Sequence, residues 1–390
     1  MGITPHTDGL GLTLLLHVDD TPGLQIRRGG RWFPVRPLPG AFVVNVADIL
    51  DVLTNGAYTS VEHRVLPDAE RARTTVVVFQ EASVGGLVAP LPGLLDPELA
   101  PSEVAKLGDA CRNWGFFQLT NHGVDKAVVQ RMKDATVQFF SSPLDSKAKV
   151  AVRGNGFEGF GHHYSRASSG KLDWAESMIL ITQPVKDRNM EMWPTNPPTF
   201  RDALDVYSVE MIGLAMRLLG FMAADLGVEP EALQDAFTGK RQSMAVHHYP
   251  PCRQREKVMG ITPHTDGLGL TLLLHVDDTP GLQIRRGGRW FPVRPLPGAF
   301  VVNVADILDV LTNGAYTSVE HRVLPDAERA RTTVVVFQEA SVGGLVAPLP
   351  GLLDQQGARA RYRSIEIEEY IKGNFNALEQ GTRFIQSLRI

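Results

Sequence analysis

Two histidines and one aspartate in the second half of the chain have the chemistry of a metal site. His264 and Asp266 are separated by one residue, and His321 follows in a later segment. Two imidazoles and one carboxylate supply three ligands on one face of a divalent cation and leave the opposite positions open, a ligand set that favours non-haem Fe(II). Arg331 and Thr333 follow at a short distance along the chain and offer a guanidinium and a hydroxyl to an anion.

The same residues occur a second time near the N-terminus. Residues 1–96 are identical to residues 259–354 at every position. The second set, at the same spacing, consists of His6, Asp8, His63, Arg73 and Thr75. The presence of the motif alone therefore does not decide which set functions.

Composition indicates a folded protein. A length of 390 residues with 43% hydrophobic residues predicts two or three domains with a buried core. The net charge of −4, without long runs of Lys or Arg, offers no basic surface for nucleic acid. Neither a long apolar run nor a signal-peptide pattern is present, so we expect a location in the cytoplasm without membrane attachment. We also expect a monomer. Cys111 and Cys252, far apart in sequence, fit a reducing compartment.

Residues 1–96 have the pattern of short β-strands. Stretches rich in β-branched residues alternate with Gly, Pro and Asn-Gly, which predicts antiparallel all-β structure. The predicted strands are Leu10–His17, Leu24–Ile26, Phe42–Val46 and Thr74–Phe79.

From Pro97 the apolar positions change to a spacing near that of an α-helix. The first predicted helix follows Ser102 and stops at Gly115, and the second begins near an Asp125 cap. A long helix that ends at Gly227 carries one apolar stripe, formed by Leu204, Tyr207, Met211, Leu214, Leu218 and Met222. Gly154–Gly161 is predicted to be a loop, and the remaining predicted elements are the strands Phe116–Leu119 and Ser243–Tyr249 and a C-terminal helix Ile367–Leu378.

This order of elements predicts an α+β fold. We expect a double-stranded β-helix, or jelly roll, braced by N-terminal helices, together with an incomplete duplicate β segment. The predicted domains are the duplicate segment 1–96, a helical region 97–240, a jelly-roll domain 241–354 that contains the metal site, and a helical tail 355–390.

The strand pattern also predicts how the site assembles. His264 and Asp266 are expected on one side of an extended segment, because side chains alternate with a period of two. His321 is expected within a strand Ala315–Val323, and Arg331 at the start of the next strand, so that adjacent strands bring imidazole and guanidinium together.

Nine short motifs occur in order between residues 98 and 390, and two of them contain the metal ligands. They are Trp114-Gly115-Phe116-Phe117, Asn121-His122-Gly123-Val124, Leu172-Asp173-Trp174, Tyr249-Pro250-Pro251-Cys252, Pro263-His264-Thr265-Asp266, Pro280-Gly281-Leu282-Gln283, Glu320-His321-Arg322, Tyr362-Arg363-Ser364 and Glu369-Tyr370. In these motifs the sequence resembles the plant-type Fe(II)- and 2-oxoglutarate-dependent dioxygenases. The similar branch includes alkaloid demethylases, flavonoid oxidases and senescence-related-gene-like oxygenases.

The resemblance implies a role for each motif residue. It implies that His264, Asp266 and His321 bind Fe(II), and that 2-oxoglutarate chelates the iron through its keto acid end. It further implies that the far carboxylate contacts Arg331, Thr333 and Tyr249, that O2 takes the last position, and that ascorbate acts as an activator. The implied reaction is hydroxylation, O-demethylation or desaturation of a small secondary metabolite or hormone, with release of succinate and CO2.

Two other functions stay open at this point. One is an ascorbate-using oxidase of the same fold, which the combination of Arg331 and Tyr249 disfavours. The other is a non-catalytic or defective fusion product that binds at most a metal or a small molecule. Succinate formation distinguishes the two classes.

The sequence departs from the family pattern at three positions. Thr333 replaces the usual Ser and keeps the hydroxyl. His247 replaces Asn and is expected to face the cosubstrate, where an imidazole could compete for metal. Ala245 stands where a basic residue is common, which predicts a less cationic pocket.

The remaining polar candidates have simpler interpretations. His122 is predicted to be a hydrogen-bonded core histidine, and His162 and His163 to be solvated in a Gly-rich loop. Asp306, after the strand Val301–Val304, is expected to order a turn.

The second copy is predicted to form the working site. It follows directly on the strand that carries Tyr249, whereas use of the first copy would close a loop of about 240 residues at an additional cost of roughly 2.4 kcal/mol. The first copy lacks a preceding strand of this kind, and the extended Ile-Pro-x-Ile-Asp-Leu-like strand of the family does not precede Pro97. We therefore expect residues 1–96 to form an incomplete sheet with an aggregation-prone edge.

Overall fold

A computed structural model describes the chain in seven ranges: 2–54, 58–81, 101–154, 156–161, 173–255, 257–356 and 359–390. The chain divides into two compact units, Met1–Glu98 and Leu99–Ile390. The predictions for His162, His163 and the junction around Pro97 lie outside the described residues.

The described part of the N-terminal unit consists of short strands and one short helix. These elements are β1 (Ile3–His6), β2 (Leu12–His17), β3 (Leu24–Arg28), β4 (Arg31–Pro34), β5 (Phe42–Val46), α1 (Asp48–Leu53), β6 (His63–Val65) and β7 (Thr75–Gln80). They form a sheet in the order β1-β6-β3-β4 and a second sheet in the order β5-β2-β7. All pairs are antiparallel, as the sequence pattern predicts.

The C-terminal unit combines helices with several sheets. Its helices are α2 (Pro101–Asn113), α3 (Lys126–Ser141), α4 (Leu144–Ala148), α5 (Phe200–Leu226), α6 (Pro230–Phe237), α7 (Asp306–Leu311), α8 (Pro350–Gln356) and α9 (Ile367–Glu379). Its strands are β8 (Phe116–Leu119), β9 (Gly159–Gly161), β10 (Glu176–Gln183), β11 (Gln242–Tyr249), β12 (Ile261–His264), β13 (Leu270–His275), β14 (Leu282–Arg286), β15 (Arg289–Pro292), β16 (Phe300–Val304), β17 (His321–Val323), β18 (Arg331–Gln338), β19 (Leu345–Val346) and β20 (Ile365–Glu366).

The strands of the C-terminal unit form a sheet of seven strands and a sheet of four. The larger sheet has the order β8-β16-β13-β18-β11-β10-β9, and the smaller has the order β12-β17-β14-β15. A two-stranded sheet joins β19 to β20. The predicted combination of helices with antiparallel sheets is confirmed.

The helix α5 braces the larger sheet. All six residues of the predicted apolar stripe are buried, and they belong to a core cluster that also contains residues of β11, β13, β16 and β18. The helix ends where predicted, because Gly227 adopts a left-handed conformation with φ of 73°. By length and composition alone α5 could cross a membrane, but its burial in this cluster is that of a core helix.

The predicted cap of α3 is confirmed. The Asp125 side chain accepts a hydrogen bond of 2.7 Å from the backbone N–H of Ala127. This bond satisfies one of the donors that the first helical turn leaves free.

Three local predictions are wrong. The segment Gly154–Gly161 is not wholly a loop, since it contains β9, which pairs with β10. The strand expected over Ala315–Val323 is confined to β17. Asp306 begins α7 instead of ordering a turn, consistent with the preference for an acidic residue in the first turn of a helix.

The expected placement of His321 and Arg331 on adjacent, paired strands is also wrong, although both residues line the same cavity. His321 lies in β17 of the four-stranded sheet, whereas Arg331 lies in β18 of the seven-stranded sheet. The two residues approach the site from different sheets, an arrangement that a short connection between strands does not reveal.

Candidate active site

The three metal ligands predicted in the second copy converge at the ends of two paired strands. His264 ends β12, His321 begins β17, and the two residues are directly opposite in the antiparallel register. Nε2 of His264 lies 3.6 Å and Nε2 of His321 lies 3.5 Å from Oδ1 of Asp266. The ligand atoms all lie within 4.8 Å of one another, so a single divalent ion can contact all three.

Backbone carbonyls orient both imidazoles. Nδ1 of His264 lies 2.8 Å from the carbonyl oxygen of Thr262, and Nδ1 of His321 lies 3.2 Å from that of Val319. A ring nitrogen that donates to a carbonyl carries the hydrogen, which leaves the lone pair on Nε2 for a metal. Both histidines therefore present the correct atom to the site.

The carboxylate of Asp266 is held through its other oxygen. Oδ2 accepts hydrogen bonds of 2.7 Å from the Thr271 hydroxyl and 2.9 Å from the Asn303 amide. Thr271 and Asn303 are cross-strand partners on β13 and β16. Neither residue was predicted from the sequence, although a polar Asn inside the apolar strand Phe300–Val304 is a signal that marks Asn303.

The protonation states also suit a metal. Burial acts to raise the pKa of Asp266, but the neighbouring His321 and His264 and the Thr271 hydroxyl outweigh it and hold the pKa of this carboxyl below its usual range. Burial, together with His264, lowers the pKa of His321 to about 4 although Asp266 opposes the shift. An ionised carboxylate beside a neutral imidazole is the state that metal binding requires.

The residues predicted to bind an anion are buried on neighbouring strands. Arg331 and Thr333 lie on β18, and Tyr249 on β11 is directly opposite Arg331. The side chains of Arg331 and Thr333 are 0% exposed and that of Tyr249 is 2% exposed. Among the described residues, the three guanidinium nitrogens of Arg331 and the hydroxyl of Thr333 make no hydrogen bond of normal geometry, although both side chains interact with Tyr249. A buried guanidinium without an anionic partner is costly, and a carboxylate ligand would satisfy it.

Tyr249 completes this anion site. The Arg331 guanidinium carbon lies 5.1 Å from the centre of the Tyr249 ring. Burial raises the pKa of Tyr249 to about 12, although the Arg331 charge opposes the shift. The phenol therefore keeps its proton at neutral pH and can donate a hydrogen bond.

A cavity of about 970 Å³ connects the metal ligands with Arg331 and Tyr249. Most of its other walls are apolar, formed by residues such as Phe116, Ile179, Leu273, Val301, Val335 and Phe337. The polar exceptions include Arg241, Ser243, Asn374 and Glu339. A mostly apolar cavity with a few polar groups is the usual form of a site for a small organic molecule.

The three departures from the family pattern lie on strands of the larger sheet. His247 is buried, its Nδ1 lies 2.7 Å from the Ser177 hydroxyl, and it is not part of the cluster of metal-ligand atoms found among the described residues. Ala245 is fully buried opposite Val335. Thr333 is fully buried on β18, two positions after Arg331.

His122 makes the hydrogen bonds predicted for it but is only half-buried. Its Nε2 lies 3.1 Å from the carbonyl oxygen of Gly298, and its Nδ1 accepts a hydrogen bond of 3.1 Å from the backbone N–H of Val124. Its ring packs edge-on against Phe300, the first residue of β16. His122 therefore has a structural position outside the cavity walls.

The N-terminal copy reproduces the metal ligands. Nε2 of His6 and of His63 lie 3.7 and 3.6 Å from Oδ1 of Asp8. Oδ2 of Asp8 accepts hydrogen bonds of 2.7 Å from Thr13 and 2.7 Å from Asn45. The three ligand atoms again lie within 4.8 Å of one another.

The N-terminal copy differs in its anion site. Arg73 and Thr75 are only partly buried. In the described part of the N-terminal unit, β7 is an edge strand that pairs with β2 alone, whereas β18 pairs with both β13 and β11. No described strand thus occupies the position from which β11 contributes Tyr249.

Known protein families match both parts of the chain. The 2OG-Fe(II) oxygenase superfamily matches residues 1–82 and 240–340. A second family, described as non-haem dioxygenase in morphine synthesis N-terminal, matches residues 88–196. The first match includes both copies of the metal ligands.

Individual relatives cover most of the chain. Protein SRG1 from Arabidopsis thaliana is 40% identical over 291 residues, which span 74% of this chain and 81% of that protein. Oxoglutarate-dependent flavonoid 7-O-demethylase 1 from Ocimum basilicum is 36% identical, over 87% of this chain and 90% of its own length. Codeine O-demethylase from Papaver somniferum is 35% identical, over 78% of this chain and 85% of its own length.

A solved structure agrees with these relatives. The crystal structure of JOX2 in complex with 2OG, Fe and JA matches with a TM-score of 0.68 and 30% sequence identity, and the match covers 77% of this chain and 88% of that one. The jelly-roll fold of such oxygenases accounts for the two antiparallel sheets that surround the ligands. The chain therefore belongs to the 2OG-Fe(II) oxygenase superfamily and is a 2-oxoglutarate- and Fe(II)-dependent dioxygenase.

Proposed function

We propose that the C-terminal unit carries the reaction, with His264, Asp266 and His321 as the Fe(II) ligands. The main support is the fully buried Arg331, whose guanidinium is paired with no carboxylate among the described residues and shares one cavity with these ligands. A metal site and an unsatisfied cation in one cavity suit a ligand that both chelates and carries a second carboxylate.

In this proposal Arg331, Thr333 and Tyr249 bind the far carboxylate of 2-oxoglutarate. The guanidinium supplies paired donors, and the two hydroxyls satisfy the remaining lone pairs. When bound, Fe(II) and 2-oxoglutarate would supply oxidising chemistry: one atom of O2 enters succinate, and the other oxidises the substrate. The buried donors hold the cosubstrate in one orientation and exclude water from its carboxylate.

The proposed substrate is a small, fairly apolar secondary metabolite or hormone, and the proposed outcome is hydroxylation, O-demethylation or desaturation. The apolar walls of the cavity support this class. The names of the relatives, a flavonoid demethylase and a codeine demethylase, support it independently.

We further propose that residues 1–96 form an incomplete duplicate jelly-roll segment that does not turn over substrate. Its ligands His6, Asp8 and His63 are in place, but Arg73 and Thr75 are only partly buried. Because no described strand of the N-terminal unit supplies a counterpart of Tyr249, the second carboxylate of 2-oxoglutarate would have fewer donors and more competing water. Metal binding without productive cosubstrate binding is the expected result.

The test is a matched pair of substitutions, His264→Ala and His6→Ala, each measured for 2-oxoglutarate-dependent succinate formation with Fe(II). We expect His264→Ala to abolish succinate formation and His6→Ala to leave it unchanged. The reverse pattern would transfer the site to the N-terminal copy. An iron-loaded wild-type protein that forms no succinate with a panel of phenolic and alkaloid substrates would instead support a non-catalytic binding module.

A further inference from the structure

His275 lies in the same row of the sheet as Thr333, one of the proposed carboxylate-binding residues. On β13 it is directly opposite Thr333 of β18, and Thr333 is in turn opposite His247 of β11. Side chains of directly opposite residues point to the same face of a sheet. Leu273, two positions before His275 on β13, lines the cavity, so this face is the one that contains the site.

The His275 ring is a buried polar group without a partner. The residue is 6% exposed, and neither Nδ1 nor Nε2 has a hydrogen-bond partner among the described residues. Buried polar side chains are nearly always hydrogen-bonded, and an unsatisfied one carries a desolvation cost. The guanidinium of Arg331 and the hydroxyl of Thr333 interact with Tyr249 but also make no hydrogen bond of normal geometry among the described residues. The free donor of His275 next to these two residues indicates one shared acceptor.

The charge state of His275 suits an acceptor that already binds Arg331. Burial, followed by the positive charges of Arg331 and Lys133, lowers the pKa of His275 to about 3. The ring is therefore neutral at physiological pH, with one N–H to donate and no charge to repel the guanidinium. A carboxylate has about four lone-pair positions, more than Arg331 alone fills.

We propose that His275 donates a hydrogen bond to the far carboxylate of 2-oxoglutarate, together with Arg331 and Thr333. The inference deepens the proposed function and depends on it. It assigns a binding role to a residue whose sequence context, the end of a run of leucines in Leu270–His275, gives no indication of one.

The test compares two oxo acids that chelate Fe(II) in the same way. 2-Oxopentanoate has the keto acid end of 2-oxoglutarate but lacks the far carboxylate. Binding of each compound to the full chain with Fe(II), under anaerobic conditions, is measured from the metal-to-ligand charge-transfer absorption. We expect His275→Leu to weaken 2-oxoglutarate binding roughly 10-fold or more, since a hydrogen bond to a charged group is lost, and to leave 2-oxopentanoate binding unchanged.

Two further variants control for structural effects. His17→Leu changes the identical sequence position in the N-terminal copy and should leave both affinities at the wild-type value. His275→Gln keeps an N–H donor and should recover part of the lost affinity. If His275→Leu does not fold, His275→Ala removes the donor without added bulk and is measured in its place.

The outcomes separate this inference from the proposed function. Equal affinity of wild-type protein and His275→Leu for 2-oxoglutarate overturns the role of His275. An equal loss for both oxo acids overturns it as well, because the effect then does not depend on the far carboxylate. A wild-type protein that binds no 2-oxoglutarate overturns the proposed function itself.

Discussion

Asp306 is a buried carboxyl beside the candidate metal site and is not one of the three clustered ligand residues there. It begins α7 and is 0% exposed. Its Oδ2 accepts a hydrogen bond of 3.1 Å from Thr265, and the Arg383 guanidinium lies 3.7 Å from its Oδ1. Burial raises the pKa of Asp306 to about 6, although Arg383 and Ser318 oppose the shift. The folded protein therefore binds a proton at this position more tightly than the unfolded chain does.

We expect Asp306→Asn to become more stable relative to wild type as the pH rises. A raised pKa in the folded state means that ionisation of Asp306 opposes folding, an effect that is absent below its ordinary pKa of 3.8 and complete above about 6. Asn does not ionise and avoids this cost. The gain between pH 4 and pH 7 should be on the order of 2 kcal/mol in the free energy of unfolding. Denaturant titrations of the metal-free protein at both pH values measure it.

Asp48→Asn is the matched control for this substitution. Asp48 has the same sequence neighbours in the N-terminal copy but is only partly buried. We expect the difference in the free energy of unfolding between Asp48→Asn and wild type to change less with pH than the difference for Asp306→Asn. If the difference in the free energy of unfolding between Asp306→Asn and wild type did not change with pH, burial of the Asp306 charge would not limit stability.

At the scale of single elements, local patterns predicted much of the fold. The position and end of α5 follow from an apolar stripe and one glycine, and the start of α3 follows from one cap residue. The pairing of β17 between β12 and β14 depends on residues far away in sequence, so its short extent was not predictable. The separation of His321 and Arg331 onto different sheets has the same cause.

The candidate site was predictable to a similar degree. The ligands His264, Asp266 and His321 have a recognisable spacing. Asn303 and His275 do not, because their roles depend on which residue lies opposite them on a neighbouring strand. Sequence patterns identify residues with unusual chemistry, whereas the register of the sheet decides which polar residues support them.

A glycine inside α5 and the glycine at its C-cap allow a test of how backbone conformation stabilises the C-terminal unit. At Gly227 a Cβ would meet no atom within 4 Å, but the φ of 73° is unfavourable for Ala. At Gly213, inside the helix, the nearest atom is Nη1 of Arg217 at 3.8 Å. Steric clashes are absent at both positions, so backbone conformation alone should determine the effect of each substitution.

We expect Gly227→Ala and Gly213→Ala to have opposite effects on the free energy of unfolding. Gly227→Ala should destabilise the protein by about 1 kcal/mol because Ala disfavours the left-handed conformation. Gly213→Ala should stabilise it by roughly 0.5–1 kcal/mol because Ala favours the helical conformation. Chemical denaturation of both variants and of wild type measures the two changes in the free energy of unfolding. Effects of the same sign would contradict a backbone origin.

At the scale of the whole molecule, identical residues have different environments in the two units. Val76 is 52% exposed and Phe42 is 60% exposed, whereas the corresponding Val334 and Phe300 are both 0% exposed. In the C-terminal unit these positions face the core cluster that contains α5. The described part of the N-terminal unit contains only the short helix α1. Its sheet therefore presents apolar surface that the same sequence buries elsewhere.

This difference predicts the behaviour of a shortened chain that starts at Leu99. Extended apolar surface and an unpaired strand edge both favour aggregation, and removal of residues 1–98 eliminates those of the N-terminal unit. We expect the shortened chain to form succinate at the same rate per chain and to aggregate more slowly. Light scattering at increasing protein concentration and succinate formation with Fe(II) and 2-oxoglutarate measure the two effects.

A matched full-length variant, Val76→Thr with Val78→Thr, should also slow aggregation, because both valines are about half exposed. Loss of succinate formation in a folded, iron-loaded shortened chain would mean that residues 1–98 contribute to catalysis, and it would contradict the assignment of the active site to the C-terminal unit alone.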